Sequence, residues 1–178
     1  MTTVYQGTGY DPYLALSPNF TLYEFTRSRI AKSRGIDNRI AEDHIIANLR
    51  QLCLHVLEPV RTLAGRPVRV SSGYRSAALN RAVGGVPESS HIFGEAADIV
   101  VGDGLVDLAT LIADDGTIPF DQLILEERRR TTNVHLGAWS RWLHLSYRAH
   151  GPNRGDILTI SRDGDDWRRE WGLHPSEV

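Results

Sequence analysis

The 178-residue sequence predicts an α+β domain in which a small, mainly antiparallel sheet has helices packed on one face. Three observations carry that reading. The early part of the chain holds one long amphipathic helical run, residues 40–63. The later part holds short runs of period-two alternation at residues 96–101, 120–126 and 141–148. Nowhere do strand and helix alternate regularly, as a parallel α/β sheet requires. The length suits a single domain with a substantial core.

Taken in order, residues 1–18 are rich in Gly, Pro, Tyr and Thr without a helical period and read as an N-terminal arm. The body of the domain spans 19–148, and 149–178 is an extension packed on it. Thr21 with Glu24 three residues on has the form of a capping box, so a short helix starts there, with Phe20 and Phe25 turned to the core. In residues 40–63 the apolar positions Ile45, Ile46, Leu49, Leu52, Cys53, Val56 and Leu57 form one broad stripe. Pro59 predicts a kink or a second helix start, and Gly65 supplies the stop. His44 and His55 read as helix-surface residues. Residues 67–71 form a short strand leading to Tyr74 and Arg75 at a loop, followed by a helix over 77–82 and a bend over 83–87. Gly94 permits a tight turn before the strand at 96–101. A helix over 105–114, a strand over 120–126, an arginine-rich hairpin tip at 128–132 and a short strand over 133–136 carrying His135 come next. Beyond residue 148, Ile157 to Ile160 are strand-like, the run from Asp163 to Asp165 is a turn, and Trp167 and Trp171 suit a short terminal helix or strap.

Composition narrows the function. A formal net charge of −2 argues against nucleic acid as the main partner, because such domains carry a basic face. The one cysteine, Cys53, allows neither an intrachain disulfide nor a thiolate cluster; its place in the helical stripe makes it a core filler. No stretch reaches membrane-spanning length. Residues 1–18 lack a basic head and apolar run, so synthesis in the cytoplasm is expected.

The chemistry concentrates in residues 71–101 and 141–148. His91 offers a neutral nitrogen, Asp98 a hard oxygen, and His144 is the other histidine inside a strand-like pattern. Two histidines and a carboxylate suit a catalytic zinc, which keeps a coordination position for water. Alternation puts Asp98 on one face of its strand and Trp142, His144 and Ser146 on one face of theirs. Neighbouring strands would present Asp98 and His144 to one point, with His91 arriving from the loop.

At these residues the chain resembles the zinc D-alanyl-D-alanine carboxypeptidases, including phage endolysins and vancomycin-resistance dipeptidases, which share the hedgehog-like metallopeptidase fold. Ser89, His91, Gly94, Ala96 and Asp98 meet every fixed position of the family pattern S-x-H-x-x-G-x-A-x-D. SGYRS at 72–76, FDQLILE at 120–126 and WLHLSY at 142–147 follow the family's order. The resemblance implies that His91, Asp98 and His144 hold one zinc ion. It implies that Arg75 clamps a substrate carboxylate, for which a guanidinium fork is well shaped, and that Ser72, Tyr74 and Ser89 line the substrate site. The general base of several family branches lies two or three residues before the last ligand, where this chain has Trp142 and Arg141. Glu126 is the best remaining candidate, because alternation puts it on one face with Gln122 and Ile124; strand parity turns Glu95 and Glu127 away. The expected function is a monomeric zinc peptidase cleaving the peptide of bacterial peptidoglycan, of carboxypeptidase or endolysin type, acting on the wall after release if it is a phage lysin. Two alternatives are a phage tail or wall-binding protein with little turnover, and a metal-dependent amidase of another substrate.

Overall fold

The structure is a computed structural model and describes residues 11–129 and 139–177. The predicted strand at 133–136 with His135, the tip residues 130–132 and the first ten residues of the arm lie outside the described residues.

Residues 11–21 run along the body, with Ala15 bridged to Thr21. Ser17 Oγ and the Asn19 side-chain amide each donate to the Glu58 carboxylate. Helix α1 (Leu22–Thr26) opens as expected, its Thr21 N–H donating to Glu24 Oε2 at 2.8 Å. It buries Phe25 against Phe20, ring centroids 6.3 Å apart and edge to face. Helix α2 (Arg29–Arg34) follows, capped by Ser28; at six residues, half of them charged, it gives no apolar period to read.

The long predicted helix is present as three continuous pieces: α3 (Asp43–Leu52), a π-helical turn (Cys53–Leu57) and α4 (Glu58–Ala64). The π turn accommodates Pro59. The Glu58 N–H reaches back five residues to the Cys53 carbonyl, so the proline, which has no N–H to give, falls in the first turn of a fresh helix, where none is required.

Among the described residues, six strands form one sheet in the order β1-β2-β4-β3-β5-β6. They are β1 (Arg69–Ser72), β2 (Ala96–Val100), β3 (Gln122–Arg129), β4 (Trp139–Ser146), β5 (Asp156–Asp163) and β6 (Asp166–Trp171). Only the β3–β5 pair is parallel; the others are antiparallel. Helix α5 (Ala77–Ala82) links β1 toward β2, and α6 (Leu105–Asp115) links β2 to β3. Period-two alternation then divides the sheet. Val70, Ala97, Ile99, Leu123, Leu125, Leu143 and Leu145 share one face and join Leu49, Leu52, Val56, Leu108 and Ile112 of the helices in the core. Asp98, His144, Ile124 and Glu126 lie on the other face.

One expectation changes at the C-terminus. Trp167 and Trp171 belong to a strand, not a helix or a strap, and both are exposed, at 62% and 67%. Spacing by four is even, so it keeps two residues on one side of a strand as well as of a helix. The turn decided between them: Asp163 pairs with Asp166 across Gly164 and Asp165, and Gly164 takes the positive φ that such a hairpin demands. The extension is therefore part of the sheet, and its last residues fold back beneath it, where the Ser176 N–H donates to Glu127 Oε2.

Candidate metal centre

Register brings the site together. Across β1, β2, β4 and β3, Ser72, Asp98, His144 and Ile124 are directly opposed, so their side chains stand in one row on the face away from the core. The loop from 84 to 95 sets His91 beside that row. Gly94 makes this approach: its φ is +70°, and a Cβ there would lie 2.7 Å from the Ile45 carbonyl oxygen, too close for any other residue without displacing α3.

His91 Nε2 and His144 Nδ1 are 3.2 Å apart, and they lie 3.2 and 3.0 Å from Asp98 Oδ1. Atoms so spaced lie on a circle of radius about 1.8 Å, so an ion about 2 Å from each, the usual Zn–N and Zn–O distance, fits near their plane. All three residues are buried. His91 Nδ1 is 2.7 Å from the Gly73 carbonyl oxygen; it must carry the proton to bond there, which leaves Nε2 a bare lone pair aimed at the common point. Burial lowers the His91 pKa, favouring the neutral ring that a metal needs. For Asp98, burial pushes the carboxyl up, but His91 and His144 beside it outweigh that and hold it well below the usual range. The donor set thus fits a zinc-type ion: two imidazoles and an ionised carboxylate.

Arg75 sits at the rim. Its Nη2 donates to Asp98 Oδ2 at 2.8 Å and lies 3.2 Å from His91 Nε2, while Nε donates to Ser72 Oγ at 3.2 Å. Glu126 stands on the same face as His144, two residues from its partner Ile124. Burial first and then the Asp98 charge push its carboxyl above the ordinary value, against His144, Arg75 and a hydrogen bond from the Trp142 side chain. Tyr74 is 7% exposed and packs into the core, and Ser89 stands in the turn before His91, its carbonyl accepting from the Ile92 N–H. Glu127 is on the opposite face, buried, paired with Arg141 and accepting from Ser161. Glu95 lies off the row, its carboxyl raised by burial against the pull of Arg148. Cys53 is fully buried with its thiol pushed far up by burial, and His55 stacks on Tyr147 outside the site.

Sequence reading missed three asparagines that position this group. The Asn38 amide donates to the Thr26 and Tyr74 carbonyls and its oxygen accepts from the Ser76 N–H, gripping the backbone on both sides of Arg75. Asn48 donates to the Phe93 carbonyl and Asn80 to that of Val86, fixing the loop that carries His91. Asn48 alone carried a signal, as a polar residue inside the apolar stripe of α3.

A buried His-Asp-His group on the open face of an α+β sheet, with an arginine and a glutamate alongside, has the donor set of a metal-dependent hydrolase. A model of the Peptidase M15 family matches residues 18–146, and the chain belongs to that family of zinc-dependent peptidases. No curated protein matches the sequence. Strands β5 and β6 lie beyond the matched residues.

Proposed function

We propose that the protein is a zinc metallopeptidase that hydrolyses the peptide of bacterial peptidoglycan, in the manner of a D-alanyl-D-alanine carboxypeptidase or an endolysin. The observation that supports the reading best is the convergence of His91, Asp98 and His144 on one point with Arg75 at its rim. His91, Asp98 and His144 would hold the zinc, which would supply an acidified water and polarise the scissile carbonyl.

The chain's own groups divide the remaining work. Glu126 takes a proton from the attacking water and passes it to the leaving amine; a carboxyl raised above its ordinary value is closer to the pKa that a base working near neutral pH needs. The Trp142 hydrogen bond orients that carboxylate. Arg75, steadied by Ser72, binds a substrate carboxylate next to the cut. Replacing Arg75 by Ala should then slow cleavage of a free-carboxylate peptide about ten- to a hundredfold, the worth of one charge-assisted hydrogen bond, and should slow an amidated peptide far less.

Incubation of the zinc-loaded protein with defined muropeptides, with products identified by mass spectrometry, tests the reading. Release of D-alanine supports the carboxypeptidase form and an internal cut the endolysin form. Intact muropeptides, with another peptide cleaved, would overturn the wall substrate.

A further inference from the structure

Outside the free edge of β1 lies a groove of about 670 Å³, walled by the α1–α2 segment on one side and by β1 and residues 73–75 on the other. Arg27, Arg29, Lys32, Arg69 and Arg75 line it, and among the described residues no acidic one does. Arg75 is bonded to Asp98; the other four make no ion pair among the described residues. Arg29 and Lys32 are three apart on α2 and so share a helix face. A chain of net charge −2 has gathered five cations around one cavity, four of them with no carboxylate paired to them among the described residues. Concave walls focus such a field on whatever enters.

The backbone of the groove narrows the occupant. Among the described residues, strand β1 ends the sheet and pairs only with β2, so its outer edge faces the groove; an edge of this kind receives an extended peptide as an added strand. Arg27 already donates to the Val70 carbonyl there, at 2.9 Å. At one end the groove reaches Arg75, and through it Asp98 and His91. We infer that an extended peptide bearing two or more free carboxylates lies along β1, its acidic groups on Arg27, Arg29, Lys32 and Arg69 and its scissile end beside Arg75. The inference rests on the peptidase reading and adds an acidic peptide as the substrate class.

Lys32 is the only lysine in the chain, which makes the groove open to footprinting. Two lysine-free, fluorescein-labelled peptides serve as probes, one with two glutamates and one with two glutamines in their place. Fluorescence anisotropy should show the zinc-loaded protein binding the acidic peptide about tenfold more tightly at low salt, the sum of a few exposed charge pairs. The advantage should shrink to under about threefold in the R29A/K32A double variant and in salt of about 0.5 M, where exposed charges are screened. The acidic peptide should also protect Lys32 from acetylation, read by mass spectrometry. Equal affinity for the two probes, an undiminished advantage in the variant, or unprotected Lys32 would overturn the inference. So would inorganic polyphosphate binding the groove more tightly than the peptide. The binding measurement needs no turnover: selective binding with muropeptides left uncut would refute the wall substrate and leave the groove standing.

Discussion

Strand parity makes Glu126 and Glu127 a matched pair for testing the mechanism. They are adjacent on β3, yet Glu126 faces the row of Asp98 and His144 while Glu127 is buried on the other face with Arg141, Ser161 and the Ser176 N–H. Glu126→Gln keeps the volume and an acceptor for Trp142 but cannot take a proton. A general base is worth about 10²- to 10⁴-fold, or about 3–6 kcal/mol of barrier at about 1.4 kcal/mol per decade. E126Q should therefore lose that much kcat while KM, metal content and urea stability stay close to wild type. Glu127→Gln should do the reverse: it leaves the Arg141 charge without its partner in a largely buried place, costing about 3 kcal/mol of folding free energy, with kcat of the folded protein within about threefold of wild type. Chromatographic product assays, metal analysis and urea titration read all these quantities. An E126Q protein that retains more than about a tenth of wild-type kcat, or an E127Q protein that loses kcat while keeping its stability, would refute the assignment.

Asn38→Ala removes the hydrogen bonds to the Thr26 and Tyr74 carbonyls and from the Ser76 N–H. At about 1 kcal/mol for each lost hydrogen bond it should cost about 2–4 kcal/mol in urea unfolding, and a loss under about 0.5 kcal/mol would show that water replaces it. For Asp121, burial pushes the carboxyl up, but the hydrogen bonds and charge of Arg154, with Arg148, prevail and lower it. A folded pKa below the unfolded one stabilises above the unfolded value, about 3.9, and the benefit disappears as pH falls through the folded value. Asp121→Asn should thus lower stability by about 1–2 kcal/mol at neutral pH, a modest figure because Arg154 is 43% exposed; the gap between variant and wild type should close as the pH falls from about 3.9 through the lowered folded value, and a gap independent of pH would count against the pairing. Chelation should lower Tm and abolish peptide cleavage, because an ion bound only by the folded chain stabilises it by mass action. Zinc should restore both in the wild type but not in His91→Ala, and an unchanged Tm on chelation would contradict a bound ion.

The sequence by itself determined what is local. The capping box at Thr21, the apolar stripe of α3, the alternation of β2, β3 and β4 and the close-packed motif from Ser89 to Asp98 rest on near neighbours and survive being read one residue at a time. The parity separating Glu126 from Glu127 was legible for the same reason, since a strand turns every second side chain to one face whatever lies beside it. Only the tertiary structure decided which strands are partners. Asp98 opposite His144 is a register choice between residues 46 apart, fixed by burying Ala97, Ile99, Leu143 and Leu145 on the shared far side. The even spacing of Trp167 and Trp171 fitted two structures until the hairpin at Gly164 chose the strand. Asn38 and the groove cations Arg27, Arg29, Lys32 and Arg69 carried no motif, because their roles come from distant chain segments that packing brings side by side.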